Sequence, residues 1–161
     1  MEPIDLRPAT PDDYDFVFSV HCATMRPYVE PIYGWDEDWQ SRYFREHFDT
    51  DKRQIIRYGG ADVGYISVEE QKSCLLLHTI GILPEFQGRG IGTTLIRRLQ
   101  RRAKLKGVPV MLQVLKGNPA RRLYERLGFK VFNTTDTHHQ LKWAAQPGQS
   151  EKPCPPKPNV Q

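Results

Sequence analysis

Between Leu75 and Thr93 the chain reads Leu-Leu-Leu-His-Thr-Ile-Gly-Ile-Leu-Pro-Glu-Phe-Gln-Gly-Arg-Gly-Ile-Gly-Thr, and two kinds of chemistry are on offer there. Glycines 88, 90 and 92 stand directly before a basic amphipathic segment. Amides at the start of a helix have no intrahelical partner and sit at the positive end of its dipole, so such a turn can hold a phosphate without a basic side chain. The second feature is His78, one imidazole in an otherwise apolar run. With an ordinary pKa of about 6.5 it can accept a proton near neutral pH, although the same placement also suits a hydrogen-bonded core residue.

These residues need a strand to carry His78 and aim the loop, and a helix behind the glycines. The apolar run from about Cys74 to Leu83 is hydrophobic on both faces, with Leu76, Ile80 and Ile82 on one and Leu75 and Leu77 on the other, which predicts a central strand. His78 shares the face of Leu76, Ile80 and Ile82. From Ile91 to Lys106 the residues Ile91, Leu95, Ile96, Leu99 and Ala103 keep a helical period, and Gly107 ends it. Val108 to Leu115 reads as a strand. Gly117-Asn118-Pro119 then turns into a helix with Ala120, Leu123, Tyr124 and Leu127 on its apolar face. Gly128 closes that helix, and strands follow at Phe129 to Thr134 and His138 to Trp143.

Upstream, Pro3 to Arg7 forms a short strand, and Thr10-Pro11-Asp12-Asp13 caps a helix expected to run from Pro11 to about Met25 and to stop at Pro27. A loop rich in aromatics and acids leads to a second helix, roughly Asp36 to Phe48. Arg53 to Tyr58 and Val63 to Glu69 form a hairpin around Gly59-Gly60. The order β-α-α-β-β-β-α-β-α-β-β predicts an α/β (mixed α+β) domain over residues 1–145, with a mixed sheet of about seven strands. The proline-rich segment 146–161 buries too little apolar surface to offset its ordering entropy and is expected to be a disordered tail.

At 161 residues, 39% hydrophobic and 26% charged, the chain suits one globular domain. Its net charge of +4 fits any polyanionic ligand as well as nucleic acid. The arginines and lysines of 97–106 read as a solvated helix face whose cations favour the C-terminal end of the dipole, without aromatic stacking surface, so nucleic-acid binding is not expected. Cys22, Cys74 and Cys154 have no zinc-ligand spacing and read as reduced thiols, and no metal is expected. Without a signal-like or membrane-length apolar run, the expectation is a cytoplasmic protein with no membrane partner.

Two familiar phosphate loops fail on residues 84–93. A GxGxxG beginning at Gly88 would need glycine where Thr93 stands, and no Gly-Lys-Ser/Thr is present. What is present, Gln87-Gly88-Arg89-Gly90-Ile91-Gly92, resembles the Gln/Arg-x-x-Gly-x-Gly/Ala signature of the GNAT superfamily of acetyl-CoA-dependent N-acetyltransferases. Ile80-Gly-Ile-Leu-Pro-Glu-Phe before it resembles that family's strand and proline corner. Asn118-Pro-Ala-Arg-Arg-Leu-Tyr-Glu-Arg-Leu-Gly-Phe129 resembles its second signature.

The resemblance implies a GNAT-like sheet with helices on both faces and acetyl-CoA as cosubstrate. It implies that Ile80, Gly81 and Ile82 offer main chain to the pantetheine arm, and that Gln87, Gly88, Arg89, Gly90, Ile91, Gly92 and Thr93 surround the pyrophosphate. Asn118 and Tyr124 are further cofactor contacts. Ile82 N–H becomes the candidate oxyanion donor, and Tyr124 the hydrogen-bond partner of the leaving thiolate. His78 corresponds to a catalytic histidine of arylalkylamine N-acetyltransferases, with Glu69, Glu70 and Glu30 as substitute bases.

The stretch 26–40 and the 132–139 turn border the thioester end in this family. Tyr28, Tyr33 and Trp35 would wall an acceptor pocket there, with Glu30 and Asp36 attracting a cationic amine, unless these aromatics only pack the proline-broken loop. The expected reaction is direct acetyl transfer to a primary amine of a small molecule or peptide, and a homodimer is compatible with it. A non-catalytic acyl-CoA-binding module on the same fold is the alternative.

Overall fold

A computed structural model describes residues 1–145, and the expected tail at 146–161 lies outside the described residues. Among the described residues the strands are β1 (Ile4–Pro8), β2 (Arg53–Tyr58), β3 (Ala61–Glu70), β4 (Leu75–Ile82), β5 (Val110–Leu115), β6 (Lys130–Thr134) and β7 (His138–Trp143). The α-helices are α1 (Tyr14–Tyr33), α2 (Glu37–Glu46), α3 (Ile91–Lys106) and α4 (Ala120–Arg126), with single 3-10 turns at Pro11–Asp13 and Pro84–Phe86. The strands form one mixed sheet in the order β1-β2-β3-β4-β5-β7-β6, flanked by helices. The β4–β5 pair is parallel. The pairs β1–β2, β2–β3, β5–β7 and β6–β7 are antiparallel. Expected element order and class are therefore met.

Two compact units divide the described residues, one comprising residues 1–67 and 79–91, the other residues 68–78 and 92–145. In the first, Gly59 and Gly60 take φ of 59° and 84°, the positive angles a two-residue hairpin requires. The β2–β3 register then slips between Ile56 and Arg57, a bulge that bends β3 beside Gly64. Ala9, Tyr14, Val17, Val20, Phe44, Ile55 and Tyr65 make the core of this unit. Arg7 locks its edge, donating to both Asp13 oxygens at 2.9 and 2.8 Å and to Asp62 at 3.0 Å. That guanidinium, with the Thr10 amide, pulls the Asp13 carboxyl down to about 2.

Helix α1 corrects the sequence expectation. It does not stop at Pro27 but runs through Pro27 and Pro31 to Tyr33. Each proline removes the helical partner of a carbonyl four residues back. Here Ala23, Pro27 and Pro31 all lie exposed, so water can serve the released carbonyls. Val20 and Val29 stay buried on the other side. The helix ends where Gly34, at φ 74°, leaves the helical region and donates to the Glu30 carbonyl at 2.9 Å. Asp36 then caps α2 through the Trp39 amide.

In the second unit α3 buries Leu95, Ile96, Leu99 and Ala103, the helical stripe expected from sequence, and exposes Arg97, Arg98, Arg101, Arg102, Lys104 and Lys106. Glu70 ties Arg102 and Lys106 to the end of β3. Helix α4 closes on Gly128 at φ 94°, with Gly128 N–H on the Glu125 carbonyl and Phe129 N–H on that of Tyr124, the paired bonds of a glycine-terminated helix. Cys22 is a free thiol.

Candidate active site

The first part of the site is the main chain of β4 and the turn after it. Leu83 N–H donates to the Val63 carbonyl of β3 at 2.9 Å. A Cβ added at Gly64 would stand 2.1 Å from the Gly81 carbonyl oxygen, so Gly81 also turns its carbonyl toward β3. Main-chain groups alternate sides along a strand. Ile80 and Ile82 therefore direct their N–H and C=O away from β3. The β4–β5 ladder accounts for Leu75, Leu76 and Leu77 only, and β4 runs five residues further. The Ile82 carbonyl receives the Gln87 amide at 2.8 Å, which pins the following turn to the strand.

That turn carries Gly88 at φ 76° and Gly90 at φ 81°, angles that side-chain-bearing residues rarely adopt. Space is not the constraint, since a Cβ at Gly88 would meet nothing within 4 Å. Arg89 donates to the Glu85 carbonyl at 3.2 Å and lies 5.2 Å over Phe86 and 5.9 Å from Tyr58. Its charge is thereby held back along the turn. Ile91 begins α3, whose first turn has no acidic residue, and the amides through Thr93 precede any carbonyl four residues earlier in the helix. The residues present fit a pyrophosphate: glycines at the turn, the positive end of a helix of sixteen residues, and no acidic residue in its first turn.

In the second unit, His78 of β4 stands beside Glu69 of β3, with Nε2 2.8 Å from Oε2. Both side chains are partly buried, 24% and 16% exposed. Neighbouring Glu70 points to the cations of α3, because successive residues of a strand face opposite ways. Of the substitute bases, Glu69 is thus the partner of His78, Glu70 belongs to an exposed ion-pair cluster, and Glu30 pairs with Arg26 at 2.9 Å on α1.

Tyr124 is buried on α4, with Phe129 edge-on at 5.7 Å. Burial pushes its phenol up to about 12. Asn118 accepts the Ala120 amide at 3.0 Å and so opens α4. In the 132–139 turn, His139 receives Arg121 at 3.0 Å on Nε2 and meets Thr134 through Nδ1 at 3.1 Å. Burial first, then Arg121 and Lys116, lowers its pKa.

The expected acceptor residues lie on the end of α1 and the link beyond it, not on a long loop. Tyr28, Glu30 and Tyr33 occupy its last turns, with Tyr33 57% exposed. Trp35 donates to Glu37 at 2.8 Å and packs beside His21 and Arg26. His21, unforeseen from sequence, is buried and 3.1 Å from Gln40 through Nε2. Gly64 is equally unforeseen, although a lone glycine inside a strand is itself a signal of close backbone approach. Among the described residues no group of three or more His, Cys, Asp or Glu side chains is placed to hold a metal ion.

The acetyltransferase (GNAT) family profile matches residues 17–129, and the chain belongs to that family. It is 33% identical over 130 residues to N-alpha-acetyltransferase RimI of Mycobacterium tuberculosis, covering 76% of this chain and 79% of that protein. It is 29% identical over 136 residues to the uncharacterized N-acetyltransferase MJ1207 of Methanocaldococcus jannaschii, where it covers 78% of this chain and 60% of the archaeal protein. Among solved structures, the PaiA N-acetyltransferase of Thermoplasma acidophilum in complex with coenzyme A superposes with a TM-score of 0.71 at 19% identity, covering 88% of this chain and 99% of that one.

Proposed function

We propose that the protein transfers the acetyl group of acetyl-CoA to a primary amine. The observation that carries this reading is the main chain of Ile80 and Ile82, turned away from β3 and leading into the Gly88–Gly90 turn at the start of α3. An extended pantetheine arm would pair with the main chain of Ile80, with the Ile82 N–H left for the thioester oxygen, and its pyrophosphate would meet the amides of Gly88 to Thr93. Acetyl-CoA supplies an activated thioester. The residues of the chain supply position, charge stabilisation and proton handling.

The amine nitrogen bonds to the acetyl carbonyl carbon, the carbon–sulfur bond breaks with its electron pair going to sulfur, and the nitrogen gives up a proton. Ile82 N–H is assigned to the oxyanion and His78 to the departing proton. Tyr124 is assigned to the thiolate as a hydrogen-bond donor. A phenol at about 12 is too weak an acid to give its proton outright to a thiolate whose conjugate acid has a pKa of about 8.5. Tyr28, Glu30, Tyr33 and Trp35 are assigned to the acceptor side, where Glu30 would favour a cation.

A screen of amines, polyamines, amino acids and peptide N-termini for thiol release from acetyl-CoA tests the proposal. Peptide α-amines come first, given the name of the mycobacterial relative. Release that depends on one amine class is expected. Binding of acetyl-CoA without release on any amine would reduce the protein to a binding module. In the active assay, His78→Ala is expected to lower kcat with acetyl-CoA affinity unchanged, and an unchanged rate would return His78 to a packing role.

A further inference from the structure

We propose that Glu69 is the positioning residue of the general base, fixing His78 in one tautomer and supporting its charge while Nδ1 takes the proton. The inference rests on the acetyl-transfer reading for its catalytic consequence, and on the His78–Glu69 contact for its structural one. A carboxylate 2.8 Å from Nε2 accepts a hydrogen bond, so the neutral imidazole carries its proton on Nε2 and the basic lone pair is on Nδ1. When the amine loses its proton, Nδ1–H forms, the imidazolium charge lies against Glu69, and Glu69 remains a carboxylate. No proton is left over in that step.

Three features make this pair more than a chance contact. It joins adjacent strands, so backbone pairing restricts both side chains. Its carboxylate is partly buried, where an ion pair is screened less than at the surface. The surrounding charges are also sorted. Glu70, next along β3, is held by Arg102 and Lys106 of α3, and β5, the parallel neighbour of β4, carries only Val, Met, Leu and Gln over Val110–Leu115. Among the described residues of β3 and β5, Glu69 is therefore the charged side chain set against His78.

The test has two arms on the full chain. The first reads His78 without cofactor or amine, by long-range proton–nitrogen correlation of its ring. The wild type is expected as the Nε2–H tautomer and Glu69→Ala as a tautomer mixture. An Nδ1–H form in the wild type overturns the proposal and leaves acetyl transfer untouched. The second arm is a double-mutant cycle in kcat. Glu69→Ala should lower kcat by about 10–100-fold in the wild type, with acetyl-CoA affinity unchanged, yet cost little more in a His78→Ala background. Glu69→Gln, which keeps an acceptor but no charge, should recover part of the rate. Equal losses in both backgrounds would show that Glu69 acts independently of His78 and would overturn the proposal. If acetyl-CoA fails to bind at all, it is the acetyl-transfer reading that falls, while the tautomer arm still judges the pair.

Discussion

His21 is only 2% exposed, its Nδ1 has no partner among the described residues, and Phe18, Trp35 and Phe44 lie against its ring. Burial lowers its pKa, so at mildly acidic pH the unfolded chain binds a proton that the folded chain refuses. Stability should therefore fall as pH drops below about 6.5, the unfolded value. Denaturant melts between pH 7 and 5 check this. His21→Phe should flatten the slope whatever it does to absolute stability, and an unaltered slope would assign the loss elsewhere. A second decline belongs to Asp13, whose folded value near 2 means that its stabilising contribution is intact above the unfolded pKa of about 3.9 and fades as pH falls toward 2.

Tyr124 gives a kinetic prediction. Tyr124→Phe should cut kcat by roughly 10–100-fold with acetyl-CoA affinity within about twofold, as expected for a group that acts on the leaving thiolate. An unchanged rate would make Tyr124 a core residue of α4. Its type within an apolar run singles out His78 in the sequence, and the resemblance carried by Asn118 to Phe129 singles out Tyr124. Glu69 emerges as the partner of His78 only through strand pairing, because two adjacent glutamates are indistinguishable until alternation sends one to β4 and the other to α3. His21 is silent in the sequence because its environment is assembled from Phe18, Trp35 and Phe44.

At the scale of elements, β3 and β4 approach at Gly64 and Gly81 more closely than any Cβ permits, since a methyl group added at Gly64 would overlap the Gly81 carbonyl oxygen. Gly64→Ala should destabilise the fold by more than about 2 kcal/mol, because backbone rather than a flexible side chain must move. Equilibrium unfolding measures it, and a change under about 0.5 kcal/mol, the range of ordinary surface substitutions, would contradict the close approach. Most elements are legible in the sequence. The hairpin at Gly59-Gly60, the α3 stripe and β7 follow from turn chemistry and periodicity. The full length of α1 is not, because intrinsic proline preference loses to the burial of Val20 and Val29 when both prolines lie on the wet side.

For the molecule as a whole, the Gly88–Gly90 turn, the strand before it and the α4 segment are legible together because each rests on local signals in fixed order: an apolar run, a glycine turn, and an Asn-Pro helix start. The proposed acceptor side is less so, since Tyr28 and Tyr33 lie on a helix end and Trp35 on the link beyond it, whose course depends on packing. The central claim is that the Gly88–Gly90 turn receives acetyl-CoA, and thermal unfolding with and without that molecule tests it most directly. At a hundredfold excess over Kd, binding contributes about 2.7 kcal/mol, which for a chain of this size corresponds to a rise in Tm of roughly 5–10 °C. Gly90→Leu, folded in its own right but denied φ near 81°, should lose that rise. A wild-type Tm unmoved by saturating acetyl-CoA would contradict the account.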